Sequence, residues 1–189
     1  MTLSVGSLEK NWAMFEKLCK KACGEDISPL LDMLGERLIM CPLNTKLDQG
    51  GAYPGGMIEH ALSVTMQMRK MNSSFDMNID QVSILKVGLL HEIGRVGNLS
   101  DPLFLDQDSD WHRDKLGQMY KYNENIQKMS VSHRTLYLLQ NFGVSLSQEE
   151  WIAIQTAQGF HFEENRFYVG SEPSLSLVLQ QSKSFINHT

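Results

Sequence analysis

Residues 81–95 read QVSILKVGLLHEIGR, an apolar segment that ends in polar and charged side chains. Its apolar residues recur at the three- and four-residue spacing of a helix, and Asp80 precedes them as a candidate N-cap. The helix is expected to end near His91 and Glu92, just before Gly94. Polar groups at the end of a buried helix need partners in the protein interior. The segment therefore predicts a buried helix that ends at a candidate functional site.

A second histidine lies in another helix that follows a glycine-rich loop. Residues 53–64 read YPGGMIEHALSV, which places His60 one turn into that helix. Two adjacent helices could bring His60, His91 and Glu92 to one point, and this donor set suits Mn, Fe, Ni or Zn. Such a metal activates bound water and polarises a phosphoryl oxygen. The alternative is that both histidines are hydrogen-bonded core residues, and spacing alone favours this alternative.

The remainder of the chain is typical of helices separated by loops. Apolar residues recur at helical spacing from Trp12 to Ala22 and again after Ser28-Pro29. Residues 41–56 are rich in glycine and proline, as expected of a structured loop. The sequence therefore predicts one all-α domain, a helical bundle.

Three finer expectations follow from the same pattern. Residues 1–40 are expected to form an N-terminal helical extension that packs on the core of residues 41–189. A short helix is expected from Arg113 to Tyr122. The aromatic segments 160–162 and 167–169 are expected to pair as a small hairpin.

Composition limits the possible partners. The 189 residues carry a net charge of −5, which argues against a nucleic-acid-binding surface. No apolar run approaches the ~20 residues that span a bilayer, so no membrane partner is expected. The three cysteines, an odd number without a secretion signal, predict reduced thiols in the cytoplasm. A homo-oligomer is compatible with this composition.

The two histidine segments resemble the HD-domain metal-dependent phosphohydrolases, in particular the short bacterial and tailed-phage members. That family has a His on one helix and a His-Asp pair at the end of a later helix, usually followed by Ile-Gly-Lys. The matching stretches here are YPGGMIEH at 53–60 and LLHEIGR at 89–95. The resemblance continues through RTLYLLQ at 134–140 and covers about 43–185. It implies an HD-like helical bundle, with His60, His91 and Glu92 as metal ligands.

The chain departs from the family pattern at several positions. Glu92 replaces the paired Asp, and Arg95 replaces the Lys as the cation for a phosphate. Residues 153–159 contain no His, although many relatives have one there. Lys183 or Ser182 stands where the family has a closing metal-ligand Asp. An ammonium cannot bind a metal, so two alternatives are open. His60, His91 and Glu92 could hold one metal as three ligands with open positions, or Lys183 could reach into the site and pair with Glu92 as a buried ion pair.

Further candidates for ligand binding follow from the resemblance. His112 and Arg113 would contact phosphate from a lid over the cleft, and His133 would replace a lost metal ligand. Lys183 is the fourth candidate for a contact with the substrate.

Two hypotheses on function follow from the resemblance. The first is a metal-dependent phosphohydrolase that acts on a small phosphorylated substrate, a nucleotide. In it, Glu92 and Arg95 are the catalytic residues, with Arg95 holding the phosphate. The second is a catalytically degenerate HD scaffold that binds a nucleotide or a protein partner without turnover. Either would act in the cytoplasm, which is the host cytoplasm if a phage encodes the chain.

Overall fold

The computed structural model describes residues 2–187 and is mostly helical, with 64% of residues in helices and one small antiparallel hairpin. None of these helices is both long and apolar enough to cross a membrane. The all-α class with a small hairpin is therefore shown. The α-helices of this part of the chain are α1 (Val5–Cys23), α2 (Ser28–Met40), α3 (Gly56–Ser74), α4 (Gln81–Leu90), α5 (Asp110–Leu116), α6 (Val131–Asn141), α7 (Gln148–Thr156) and α8 (Ser174–Asn187).

Side-chain caps fix the starts of several helices. Asp80 caps α4, where its carboxylate accepts the Ser83 N–H at 2.9 Å. Ser147 and Glu150 form a reciprocal capping box at the start of α7. These caps satisfy N–H groups that have no partner within the helix, so the sequence itself determines where α4 and α7 begin.

A single hydrophobic core joins the N-terminal helices to the rest of the chain. Phe15 of α1 and Leu34 of α2 are fully buried in the same cluster as Met68 of α3, Leu90 of α4 and Leu179 of α8. Helix α3 lies at the centre and packs against both α4 and α8. Helices α4 and α8 also contact each other. The division between 1–40 and 41–189 stays a prediction.

The hairpin lies elsewhere than the sequence pattern indicated. Strands β1 (Phe104–Asp106) and β2 (Tyr120–Tyr122) pair antiparallel, with Phe104 opposite Tyr122. The segment expected to form the hairpin contains a 3₁₀ helix, Glu163–Tyr168, instead. Phe167 is 87% exposed, so the aromatic side chains of this segment do not pack as one face of a strand on the core. The helix predicted from Arg113 to Tyr122 is confirmed only as far as Leu116, where α5 ends, and its second half was wrong, because β2 follows.

Two glycines allow the close packing that positions the site. A Cβ on Gly88 of α4 would lie 2.5 Å from Oγ1 of Thr65, so α3 and α4 approach closely. A Cβ on Gly94 would overlap the Val131 carbonyl oxygen of α6. Thr135 joins the same elements, because its Oγ1 accepts the Gly94 N–H at 2.9 Å and donates to the His91 carbonyl at 3.3 Å. These contacts fix the end of α4 against α3 and α6.

Candidate functional site

The end of α4 and the first turns of α3 bring His60, His91 and Glu92 together. One donor atom from each lies within 4.8 Å of the other two, and the imidazole ring centres are 6.2 Å apart. All three residues are buried. The close crossing of α3 and α4 at Gly88 is what makes this approach possible.

His91 is held as a neutral imidazole in a single tautomer. Its Nδ1 lies 2.9 Å from the Gly88 carbonyl oxygen, which can only accept, so Nδ1 carries the proton. Its Nε2 therefore has a free lone pair, and no residue within 2–187 forms a hydrogen bond with it. Burial, helped by the charge of Lys183, lowers the pKa of His91 to about 3. Burial likewise lowers the pKa of His60 to about 4.

The Glu92 carboxylate has a donor on each oxygen. Lys183 Nζ lies 2.7 Å from Oε1, and Arg95 Nε lies 2.5 Å from Oε2. Gln158 Nε2 donates to both oxygens at 3.2 Å. Burial alone would raise the pKa of Glu92, but the charges of Arg95 and Lys183 hold it well below its ordinary value. The carboxylate is therefore ionised and tied to two cations.

Lys183 lies against one of the three candidate metal ligands, the Glu92 carboxylate. Its ammonium also donates to the Ala157 carbonyl at 2.8 Å, which fixes it beside Oε1 of Glu92. His91 Nε2 lies 3.6 Å from the same oxygen. A divalent ion bound by His60, His91 and Glu92 would share that oxygen with an ammonium, against strong charge repulsion. With Lys183 in place, these residues do not fit a resident metal ion.

A cavity of about 400 Å³ opens beside the Glu92 carboxylate, and we call it the Lys183 cavity. With the imidazoles neutral, the two cations and one carboxylate of its wall sum to one positive charge. Side-chain amides supply most of the other polar groups. This lining suits a small anion that accepts hydrogen bonds. The polar residues that line it include Asn44, Gln49, His60, Arg95, Gln158 and Lys183.

The other candidates for substrate binding lie away from this cavity. His112 and Arg113 are on α5, where His112 Nδ1 lies 2.8 Å from Ser109 Oγ and Arg113 pairs with Asp110. His133 is exposed on α6, and its Nε2 lies 3.1 Å from Gln155 Nε2. None of His112, Arg113 and His133 is among the described residues that line the Lys183 cavity. Their contacts with a ligand stay predictions.

Two further partners of the site were not predicted from the sequence. Gln158 bonds Glu92 from the turn after α7, and the neighbouring Ala157 carbonyl accepts from Lys183. The only signal was the lack of a histidine in residues 153–159, which left open what replaced it. A backbone carbonyl has no sequence signature, so this part of the site could be found only from the structure.

Comparisons of the chain with protein-family models, curated proteins and solved structures return no match. The resemblance to the HD-domain phosphohydrolases therefore stays a prediction from residues 53–60 and 89–95.

Proposed function

We propose that the protein is an HD-like scaffold that binds a small phosphorylated ligand, a nucleotide, without hydrolysing it and without a resident metal. The observation that carries this proposal is the pair of short contacts to Glu92, from Lys183 at 2.7 Å and Arg95 at 2.5 Å. In it, the Lys183 ammonium supplies the positive charge that a metal ion would otherwise bring. Glu92 is then a structural counter-ion rather than a metal ligand.

The charge and donor pattern of the Lys183 cavity supports the choice of ligand. The side chains of Lys183 and Arg95 are 14% and 13% exposed, so each is largely buried yet reaches the cavity. An ammonium has three N–H groups, and Glu92 and Ala157 accept two of them. No other residue within 2–187 accepts the third N–H, which can donate to a phosphate oxygen. A hydrogen bond from an ammonium to a phosphate oxygen is charge-assisted, and such bonds are stronger than those between neutral groups.

Calorimetric titration with inorganic phosphate and with a nucleoside monophosphate tests the proposal. We expect saturable binding in the wild type that is lost in Lys183→Met but kept in Lys70→Met, a matched control on the exposed face of α3. We also expect no phosphate release from the nucleotide when Mn²⁺ or Zn²⁺ is added. Release that depends on added metal and on His91 would overturn the proposal.

A second candidate function is the metal-dependent phosphohydrolase. It is favoured by one specific observation, the unpartnered Nε2 lone pair of buried His91 within the donor cluster. A bound ion would supply the activation of water and of a phosphoryl oxygen. This candidate requires the Lys183 ammonium to move away from Glu92. Phosphate release from the nucleotide that depends on added metal distinguishes this function from binding alone.

The place of action and the oligomeric state belong to the same proposal. We place the protein in the cytoplasm, or in the host cytoplasm for a phage-encoded chain, as the resemblance and the cysteine content imply. A homo-oligomer is compatible with this proposal, and the net charge of −5 disfavours a nucleic-acid partner. Light scattering on the purified protein measures the assembly directly, and a monomer mass would remove the homo-oligomer from the proposal.

A further inference from the structure

A second, larger cavity shares Gln158 with the Lys183 cavity, and we call it the Arg134 cavity. Its volume is about 850 Å³. Its walls come from β2, the segment before α6 and the turn after α7. Residues that line it include Tyr122, Lys128, Ser130, Arg134 and Phe162.

Arg134 is a buried cation without a carboxylate partner. Only 3% of its surface is exposed. Its guanidinium donates to two neutral carbonyl oxygens, of Gln127 at 3.1 Å and of Gly94 at 3.4 Å. Within residues 2–187 it forms no ion pair with an acid. A buried charge is costly unless it is paired, so this guanidinium calls for an anion.

The rest of the cavity wall adds to the positive character around Arg134. Lys128 lines the cavity with an exposed side chain. Ser130 and Val131 line the cavity at the start of α6, an eleven-residue helix whose first N–H groups have no acceptors within the helix. The Ser130 hydroxyl accepts one of these, the His133 N–H, at 3.3 Å. Glu124 is the one carboxylate among the described residues of the wall, and it is exposed. Two cations and a helix N-terminus therefore outweigh one exposed acid.

Two aromatic rings line the same cavity. Tyr122 is 60% exposed and Phe162 is 39% exposed, so both rings have faces that the protein does not cover. Exposed aromatic faces beside cationic groups suit a planar ring that carries a phosphate, because bases stack on such faces. The cavity therefore offers contacts to both ends of a mononucleotide.

From these observations we infer that the Arg134 cavity is a second anion-binding site, which takes the phosphate of a mononucleotide at Arg134 and Lys128 and its base against Phe162 or Tyr122. The site is independent of the ammonium of Lys183. It stands whether or not the Lys183 cavity binds phosphate.

Amide chemical shifts provide a local readout of this site. Adenosine monophosphate and inorganic phosphate are titrated separately into ¹⁵N-labelled full-length protein, and the Val131 and Ser132 amides at the start of α6 are followed. We expect saturable shifts with both compounds, with tighter binding of the nucleotide. Base stacking of about 1–3 kcal/mol corresponds to a Kd at least about fivefold lower.

Matched variants connect the shifts to the named side chains. We expect Lys128→Ala to raise both Kd values by about two- to fivefold, as for an exposed charge contact, and Lys70→Ala to leave them unchanged. Phe162→Ala together with Tyr122→Ala should weaken the nucleotide only. Arg134→Lys keeps the charge but loses the planar fork, so it should weaken both compounds.

Several results would overturn the inference. One is the absence of saturable shifts at Val131 and Ser132 with millimolar nucleotide in the folded wild type. Another is equal Kd values in Lys128→Ala and Lys70→Ala. A third is loss of the shifts at these amides in Lys183→Met, since that result would place the ligand in the Lys183 cavity.

Discussion

The Nζ atom of Lys183 lies 2.7 Å from Oε1 of Glu92, a residue 91 positions earlier in the chain. This contact joins the middle of α8 to the end of α4 and brings an ammonium into the His60–His91–Glu92 cluster. Because Arg95 holds the other oxygen, the carboxylate is enclosed by cations on both sides. The negative charge of Glu92 is therefore balanced by two protein side chains.

Breaking this ion pair from either side should destabilise the fold. We expect Lys183→Met to lower the free energy of unfolding by up to about 3 kcal/mol, because a buried charge loses one of its partners while Arg95 remains. Glu92→Gln should also be costly, since it leaves two buried cations without their counter-ion. Urea denaturation measures both changes.

The double variant separates the pair from its surroundings. Because the two residues interact directly, Lys183→Met with Glu92→Gln should lose less stability than the sum of the single changes, by about 1–3 kcal/mol. Lys70→Met serves as the exposed control and should leave the denaturation midpoint unchanged. Additive single changes would mean that the contact contributes nothing of its own.

Gly94 should tolerate no side chain. A Cβ there would overlap the Val131 carbonyl oxygen and lie 2.8 Å from the Thr135 amide nitrogen, so Gly94→Ala must move α6 away from the end of α4. We expect a loss of at least about 1–3 kcal/mol in the free energy of unfolding, as for overpacking elsewhere. Thermal denaturation checks this value.

Gly6→Ala is the matched control, because nothing lies within 4 Å of its added Cβ on α1. Alanine is the better helix former, so this variant should be slightly more stable than the wild type. Equal melting temperatures for Gly94→Ala and Gly6→Ala would contradict the packing described for Gly94.

Thr135 should matter for its hydroxyl rather than for its shape. Thr135→Val keeps the volume but leaves the buried Gly94 N–H without its acceptor, which costs about 1–3 kcal/mol. Thr135→Ser keeps the oxygen and should lose less. The urea midpoints of the two variants, measured side by side, test whether Thr135→Val is the less stable. A Thr135→Val variant as stable as the wild type would refute this role of the hydroxyl.

Acid should weaken the fold below the ordinary pKa of histidine. In the folded protein the pKa of His91 is about 3 against an ordinary value of 6.5, so the unfolded chain binds the proton first as the pH falls. The stability is therefore complete above about pH 6.5 and decreases toward pH 3. His91 alone should lower the free energy of unfolding by about 2 kcal/mol between pH 7 and pH 5.

Variants of single histidines show which imidazole causes this loss of stability in acid. His91→Gln should flatten the curve of stability against pH in that range, whereas His161→Gln, at an exposed position, should leave its slope unchanged. His60 adds a contribution of the same sign, because burial lowers its pKa to about 4. A wild-type stability that rises between pH 7 and pH 5 would show that these imidazoles are charged in the folded state.

Helical spacing predicted the helical class, because it is a local signal. Spacing alone favoured His60 and His91 as core residues, and only the resemblance placed them with Glu92 at one site. The resemblance also gave Lys183, beside Ser182, as a residue that could reach Glu92. The pattern placed the hairpin wrongly. The aromatic segments around Phe162 alternate as strands do, but their side chains do not pack on the core. Gln158 was missed because its role depends on the turn after α7, which no spacing encodes.

The metal content of the purified protein shows whether Lys183 or a metal ion balances the charge of Glu92. Wild-type protein and a His91→Ala variant are purified without chelator, soaked with Mn²⁺ or Zn²⁺, desalted, and measured by mass spectrometry. We predict far less than one equivalent of metal in both proteins, because the Lys183 ammonium lies beside Glu92. Near-stoichiometric metal in the wild type that disappears in His91→Ala would contradict this prediction.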